Sequence, residues 1–157
     1  MLYQAKQFLR RFTKSDRGTQ AIEFAFVFPC LILLFAGTTE LGRLFYTYTS
    51  LAKATRAGAR YLSNVQSVGS STAAAQNVVL CGNPGGCGGS GQPAVILPNF
   101  TASNVSVTQS TVGTVKYVKV SITGYAYKPV IFDLNTMTGG NFNMNLSPST
   151  TMRYMLN

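Results

Sequence analysis

Residues 24–37 read FAFVFPCLILLFAG, fourteen consecutive apolar residues. With Thr19 to Glu23 before them and Thr38 and Thr39 after, the weakly polar stretch reaches the roughly 20 residues that a helix needs to cross the hydrocarbon of a bilayer. A membrane span over about 20–39 is therefore expected. Ahead of it Lys6, Arg10, Arg11, Lys14 and Arg17 crowd the first 17 residues, with Asp16 the only acid among them. A basic region followed by an apolar one also describes a secretory signal, for which Ala36, Gly37 and Thr38 offer a poor small-residue cleavage site. Glu23 argues against that alternative. A charge inside an apolar block costs on the order of 2.5 to 3.5 kcal/mol on insertion scales, and a disposable signal has no use for one.

The helical pattern does not stop at the membrane. Leu41, Leu44, Phe45, Tyr48, Leu51, Ala52, Thr55, Ala59 and Leu62 recur at spacings of three and four, with Lys53, Arg56 and Arg60 on the other side. This predicts a single helix over 19–63, on the order of 65 Å long at about 1.5 Å per residue. Its first half lies in lipid and its amphipathic second half projects and packs against something. Pro29 lacks the N–H that the ladder requires and is expected to kink this helix. Cys30 reads as a small apolar filler, and Glu40 with Arg43 as a surface pair worth little.

The rest of the composition excludes more than it indicates. Charged residues make up 11% of the 157, against roughly 25% in soluble domains, and there is no His. Asp16, Glu23, Glu40 and Asp133 are the only carboxylates, too scattered for a catalytic pair, and no phosphate-cradling glycine motif is present. No enzyme, no cofactor and no small-molecule substrate is expected. The net charge of +9 suggests nucleic acid, but the leader holds five of the 13 basic residues and no basic cluster interleaves aromatics. Nucleic acid is therefore not an expected partner.

From Asn64 the composition turns to Ser, Gly, Asn, Gln and Val, so a second region is expected over 64–157. Ser71 to Leu80 suggests a short helix. The glycine-rich stretch CGNPGGCGGSGQP follows, and Cys81 and Cys87 in an oxidising compartment are expected to form a disulfide. A zinc site is the sharper alternative, but two sulfurs without His or a second pair are inadequate, so no metal is expected. Further on, Val105 and Val107, then Val118, Val120 and Ile122, then Phe142, Met144 and Leu146 alternate with polar residues. Three or four antiparallel strands follow, with turns at Val112 to Thr114 and around Gly139 and Gly140. Tyr125, Tyr127 and Tyr154 invite comparison with a sugar-binding surface, although aromatic residues on strands usually pack. So small a sheet needs cover, and the projecting half of the long helix supplies it. The fold class is α+β: one long N-terminal helix, membrane-spanning in its first half, with a small antiparallel sheet on its second.

Residues 17–29, RGTQAIEFAFVFP, resemble the cleavage signal of type IV prepilins, with a basic residue, Gly18, four residues, Glu23, Phe24 and an apolar run. The longer stretch from Gly18 to Tyr61 is similar to the TadE-like family, minor pilins or pseudopilins of tight-adherence (Flp-type) pili. Its matching elements include Ala21, Glu23, Phe24, Ala25, Pro29, Glu40-Leu41-Gly42-Arg43, Tyr46 and Arg56-Ala57-Gly58-Ala59-Arg60-Tyr61. Leu41 stands where the family usually has an aromatic residue. The resemblance implies a pilin-like subunit whose leader, residues 1–18, is removed by a prepilin peptidase after Gly18, so that the mature chain starts at Thr19. It also implies other pilins and the pilus assembly platform as partners beside the lipid bilayer. The N-terminus would then be cytoplasmic and the C-terminal region outside the inner membrane, possession of surface attachment being the outcome. A membrane-anchored or pilus-tip adhesin is the alternative; a pseudopilin of a secretion system fits the longer stretch less well.

Overall fold

In a computed structural model of the chain, the structure describes residues 16–130 and 144–155, with the side chains of Asp16, Arg17 and Thr19 excepted. The basic residues Lys6 to Lys14, Asp133, and the predicted features at Gly139, Gly140 and Phe142 lie outside the described residues. The elements are α1 (Asp16–Ser63), α2 (Thr72–Cys81), a 3-10 turn (Ala102–Asn104), β1 (Val105–Val112), β2 (Val115–Ile122), β3 (Tyr125–Tyr127), β4 (Met144–Leu146) and β5 (Ser149–Arg153). The α+β class follows directly. The chain divides into two compact units, Met1–Leu41 and Gly42–Asn157.

The described part of the first unit is helix alone. Its apolar side chains are exposed around the whole circumference: Ile22, Phe26 and Phe35 are 63%, 76% and 75% exposed, and Phe24, Leu31 and Leu34 are exposed as well. Of the unit's described apolar side chains, that of Ala36 is buried. A helix exposing apolar residues all round is the pattern of a segment built for lipid or for neighbouring helices.

The second unit contains the core. Leu51, Ala59 and Leu62 of α1, Ala75, Val79 and Leu80 of α2, and Val118, Val120 and Ile122 of β2 all belong to one buried cluster. Gly58 lets α2 approach: a Cβ built there would stand 2.4 Å from Val79 Cγ2. The buried seam of α1 is narrower than its sequence periodicity predicts. Leu41, Phe45 and Tyr48 are exposed, while Thr47, Leu51, Thr55, Ala59 and Leu62 are buried. Apolar residues at three-and-four spacing define a broad stripe, and only its inner edge meets the sheet.

Among the described residues, two small antiparallel sheets form, with five strands where three or four were expected: β1-β2-β5, and β3 paired with β4. The β1–β2 hairpin closes through Gly113, whose φ of 63° needs a residue without a Cβ. In β2 the period-two alternation works as expected, since Val118, Val120 and Ile122 are buried and Lys119 and Lys116 are exposed. Met144 shares the face of buried Leu146 by the same period, yet is 53% exposed and is no core residue. β2 is central. Thr123 N–H donates to Asn104 O at 2.8 Å on one side, and Ile122 N–H donates to Pro148 O at 3.0 Å on the other.

The last described residues close the unit. Tyr154 N–H donates to Lys116 O at 2.9 Å, and Met155 N–H donates to Ser63 O, at the end of α1, at 3.0 Å. The Tyr154 hydroxyl donates to Val65 O. Inside, the Thr55 and Thr150 hydroxyls share a hydrogen bond of 3.0 Å that ties buried α1 to β5. Tyr125 and Tyr127 are buried rather than arrayed on a surface. Phe100 and Tyr125 meet edge to face with ring centroids 5.7 Å apart.

Candidate processing and assembly site

Gly18, Thr19, Glu23, Phe24 and Pro29 follow one another on α1. Thr19 and Glu23 are four residues apart and so share a helix face one turn apart. Glu23 and Phe24 are exposed, and Gly18 is half-buried. Phe24 and Phe28 lie along one face with ring centroids 5.4 Å apart.

Two hydroxyls of the segment are satisfied within the helix. Thr38 and Thr39 donate their hydroxyls to Phe35 O at 2.9 and 2.8 Å, so neither needs water. Cys30 Sγ contacts Phe26 O at 3.8 Å, a weak bond typical of a thiol in a helix. The helix continues through Pro29. That residue has no N–H to give the Ala25 carbonyl one turn earlier, so this carbonyl lacks its usual intrahelical partner.

The other predicted pair lies in the second unit. Cys81, at the end of α2, is joined to Cys87, with Cα atoms 5.9 Å apart. Gly82 ends α2 in the left-handed conformation, φ 78°, and its N–H donates to Val78 O at 2.9 Å. That turn leads the chain into the loop that brings Cys87 back. Among the described residues there is no cluster of three or more metal-ligating side chains. Sequence reasoning did not assign Gly58 a physical role, although it falls in the quoted run RAGARY. Only the position of Val79, distant in sequence, gives it one.

A family model described as TadE-like protein matches residues 18–60. The match is consistent with the TadE-like pilin family of tight-adherence pili and coincides with nearly the whole of α1. No curated protein and no solved structure matches the chain.

Proposed function

We propose that the protein is a minor pilin or pseudopilin of a tight-adherence pilus, a structural and assembly subunit rather than an enzyme. The observation that carries this is the coincidence of the TadE-like match with an apolar helix whose residues 20–35 are exposed. Residues 1–18 form a leader, 19–63 the helix, with its span over about 20–39, and 64–157 the exported region. The basic leader holds the N-terminus in the cytoplasm, so the second unit faces outward across the inner membrane.

The proposed chemistry uses three residues. Gly18 presents no side chain to a prepilin peptidase, and hydrolysis of the Gly18–Thr19 bond frees the α-amino group of Thr19 as a cation. Glu23, one turn along, accepts that charge from its own chain or a neighbouring pilin, which offsets part of its cost in lipid. The positive end of the helix dipole adds a smaller favourable term. Phe24 begins the surface on which neighbouring helices pack, and Pro29 locally loosens the helix.

Co-expression with a prepilin peptidase should yield a mature chain beginning at Thr19 by intact-mass analysis. Retention of the first 18 residues in piliated cells, or a cut near Gly37, rules the reading out. Glu23→Gln keeps shape but removes the charge, so this variant should insert and be cut at least in part, yet fail to restore pili in a strain lacking the native protein. Normal pilus number with Glu23→Gln would remove the charge-pairing step. Gly18→Phe should instead leave full-length chain in the membrane.

A further inference from the structure

A groove of about 360 Å³ opens in the second unit where α1 begins there, between Arg43, Tyr46 and Thr47 on the helix and Leu97, Pro98 and the Tyr125–Lys128 segment. Two cations, Arg43 and Lys128, line it, and among the described residues that line it none is a carboxylate. Both are exposed, and so is Tyr46 at 72%. Leu97, Pro98 and Tyr127 give it apolar and aromatic walls, and Thr47 and Asn99 are its uncharged polar residues.

Its height along α1 is informative. Arg43 follows Thr39, where the proposed span ends, by four residues, or roughly 6 Å of helix. That is the depth of the headgroup layer, where tyrosines with apolar bodies and polar tips concentrate and where basic side chains reach phosphates. A guanidinium has five N–H donors in a planar fork, so Arg43 can hold a protein neighbour and still present donors to a phosphate. Lys128 supplies the second positive charge as a compact point donor.

We propose that this groove binds the phosphate headgroup of an anionic phospholipid in the leaflet next to the second unit. Arg43 and Lys128 take the phosphate, Tyr46 donates to the headgroup glycerol, and Leu97 and Pro98 accept the start of the acyl chains. The bound lipid fixes the depth at which α1 leaves the membrane. This rests on reading residues 20–39 as a membrane span.

The full chain is reconstituted in vesicles of phosphatidylcholine alone or mixed with phosphatidylglycerol, and flotation is scored first. A chain that does not float with the vesicles overturns the span, and the lipid site with it. In floated protein, acylation of each lysine by an amine-reactive reagent is followed by peptide mass spectrometry. Lys128 should react several-fold more slowly with phosphatidylglycerol present, whereas Lys53, Lys116 and Lys119 keep their rates. Arg43→Gln should return Lys128 to its rate in phosphatidylcholine, and Lys128→Gln should reduce the phosphatidylglycerol that copurifies in mild detergent. Equal Lys128 rates in the two vesicles overturn the site, as does protection that persists in Arg43→Gln. Protection by inorganic phosphate added to phosphatidylcholine vesicles would mean a free-phosphate site and would overturn the lipid assignment.

Discussion

At Gly58 the absence of a side chain sets how near α1 can lie to α2. A Cβ would fall 2.4 Å from Val79 Cγ2 and 3.7 Å from Val120 Cγ1, with Ala75 O at 3.6 Å behind. Helical Gly is otherwise about 1 kcal/mol worse than Ala, so contact and not propensity keeps it. Gly58→Ala should destabilise the unit by about 1–3 kcal/mol, the usual range for overpacking, seen as a lower thermal midpoint. Adding Val79→Ala should recover part of the loss, because the two sites are in contact and their effects do not add. Tyr125 offers a second test. Burial raises its pKa above the ordinary 10.0, and its hydroxyl donates to Pro98 O at 3.4 Å. The folded state therefore holds this proton more tightly than the unfolded state. Its contribution is fully present below about pH 10 and is lost as pH rises through the higher folded value. Tyr125→Phe should flatten that part of an alkaline denaturation curve.

The elements differ in how openly the sequence declares them. Residues 24–37 announce α1 because fourteen apolar side chains in a row admit few alternatives, and α1 is observed as Asp16–Ser63. The buried seam was harder to read. Leu41, Phe45 and Tyr48 are as apolar as Leu51 and Leu62, and only tertiary placement leaves the first three exposed. The split into two sheets was hidden for a different reason: alternation at Phe142, Met144 and Leu146 marks a strand but not its partner, and β3 has only three residues. By contrast, Val118, Val120 and Ile122 are legible, since an alternating strand with one buried face allows a single register. Of the candidate site, Gly18 and Glu23 were legible through a resemblance, whereas the expected helix began at Thr19 and the observed α1 begins at Asp16 and includes Gly18. The disulfide beyond α2 closes a short loop, which in the chain-entropy model is worth about 2 kcal/mol. Replacing Cys81 and Cys87 by Ser should lower stability by that order. In native protein without reductant, an alkylating reagent should label Cys30 only; labelling of the loop pair would show the bond absent.

For the whole molecule, the TadE-like match ends at residue 60, while the two sheets begin only at Val105. The matched stretch thus covers most of the helix and none of the sheets. Their order in space differs from their order in the chain. β2, at the centre, has β1 on one side and β5, the last described strand, on the other. Ending the chain at Ser147 should therefore leave the second unit unfolded, with Val118 and Val120 lacking their strand partners Met152 and Thr150. Limited proteolysis should digest that variant under conditions where the full chain resists. The closure of Met155 onto Ser63 has a temporal side as well. A ribosome makes α1 first and β5 last, so the helix emerges about ninety residues before the strand that completes the fold on it, roughly 5–18 s at ordinary synthesis rates. Throughout that interval the unit cannot close, so under the proposed export a translocation channel would receive a thread instead of a finished body.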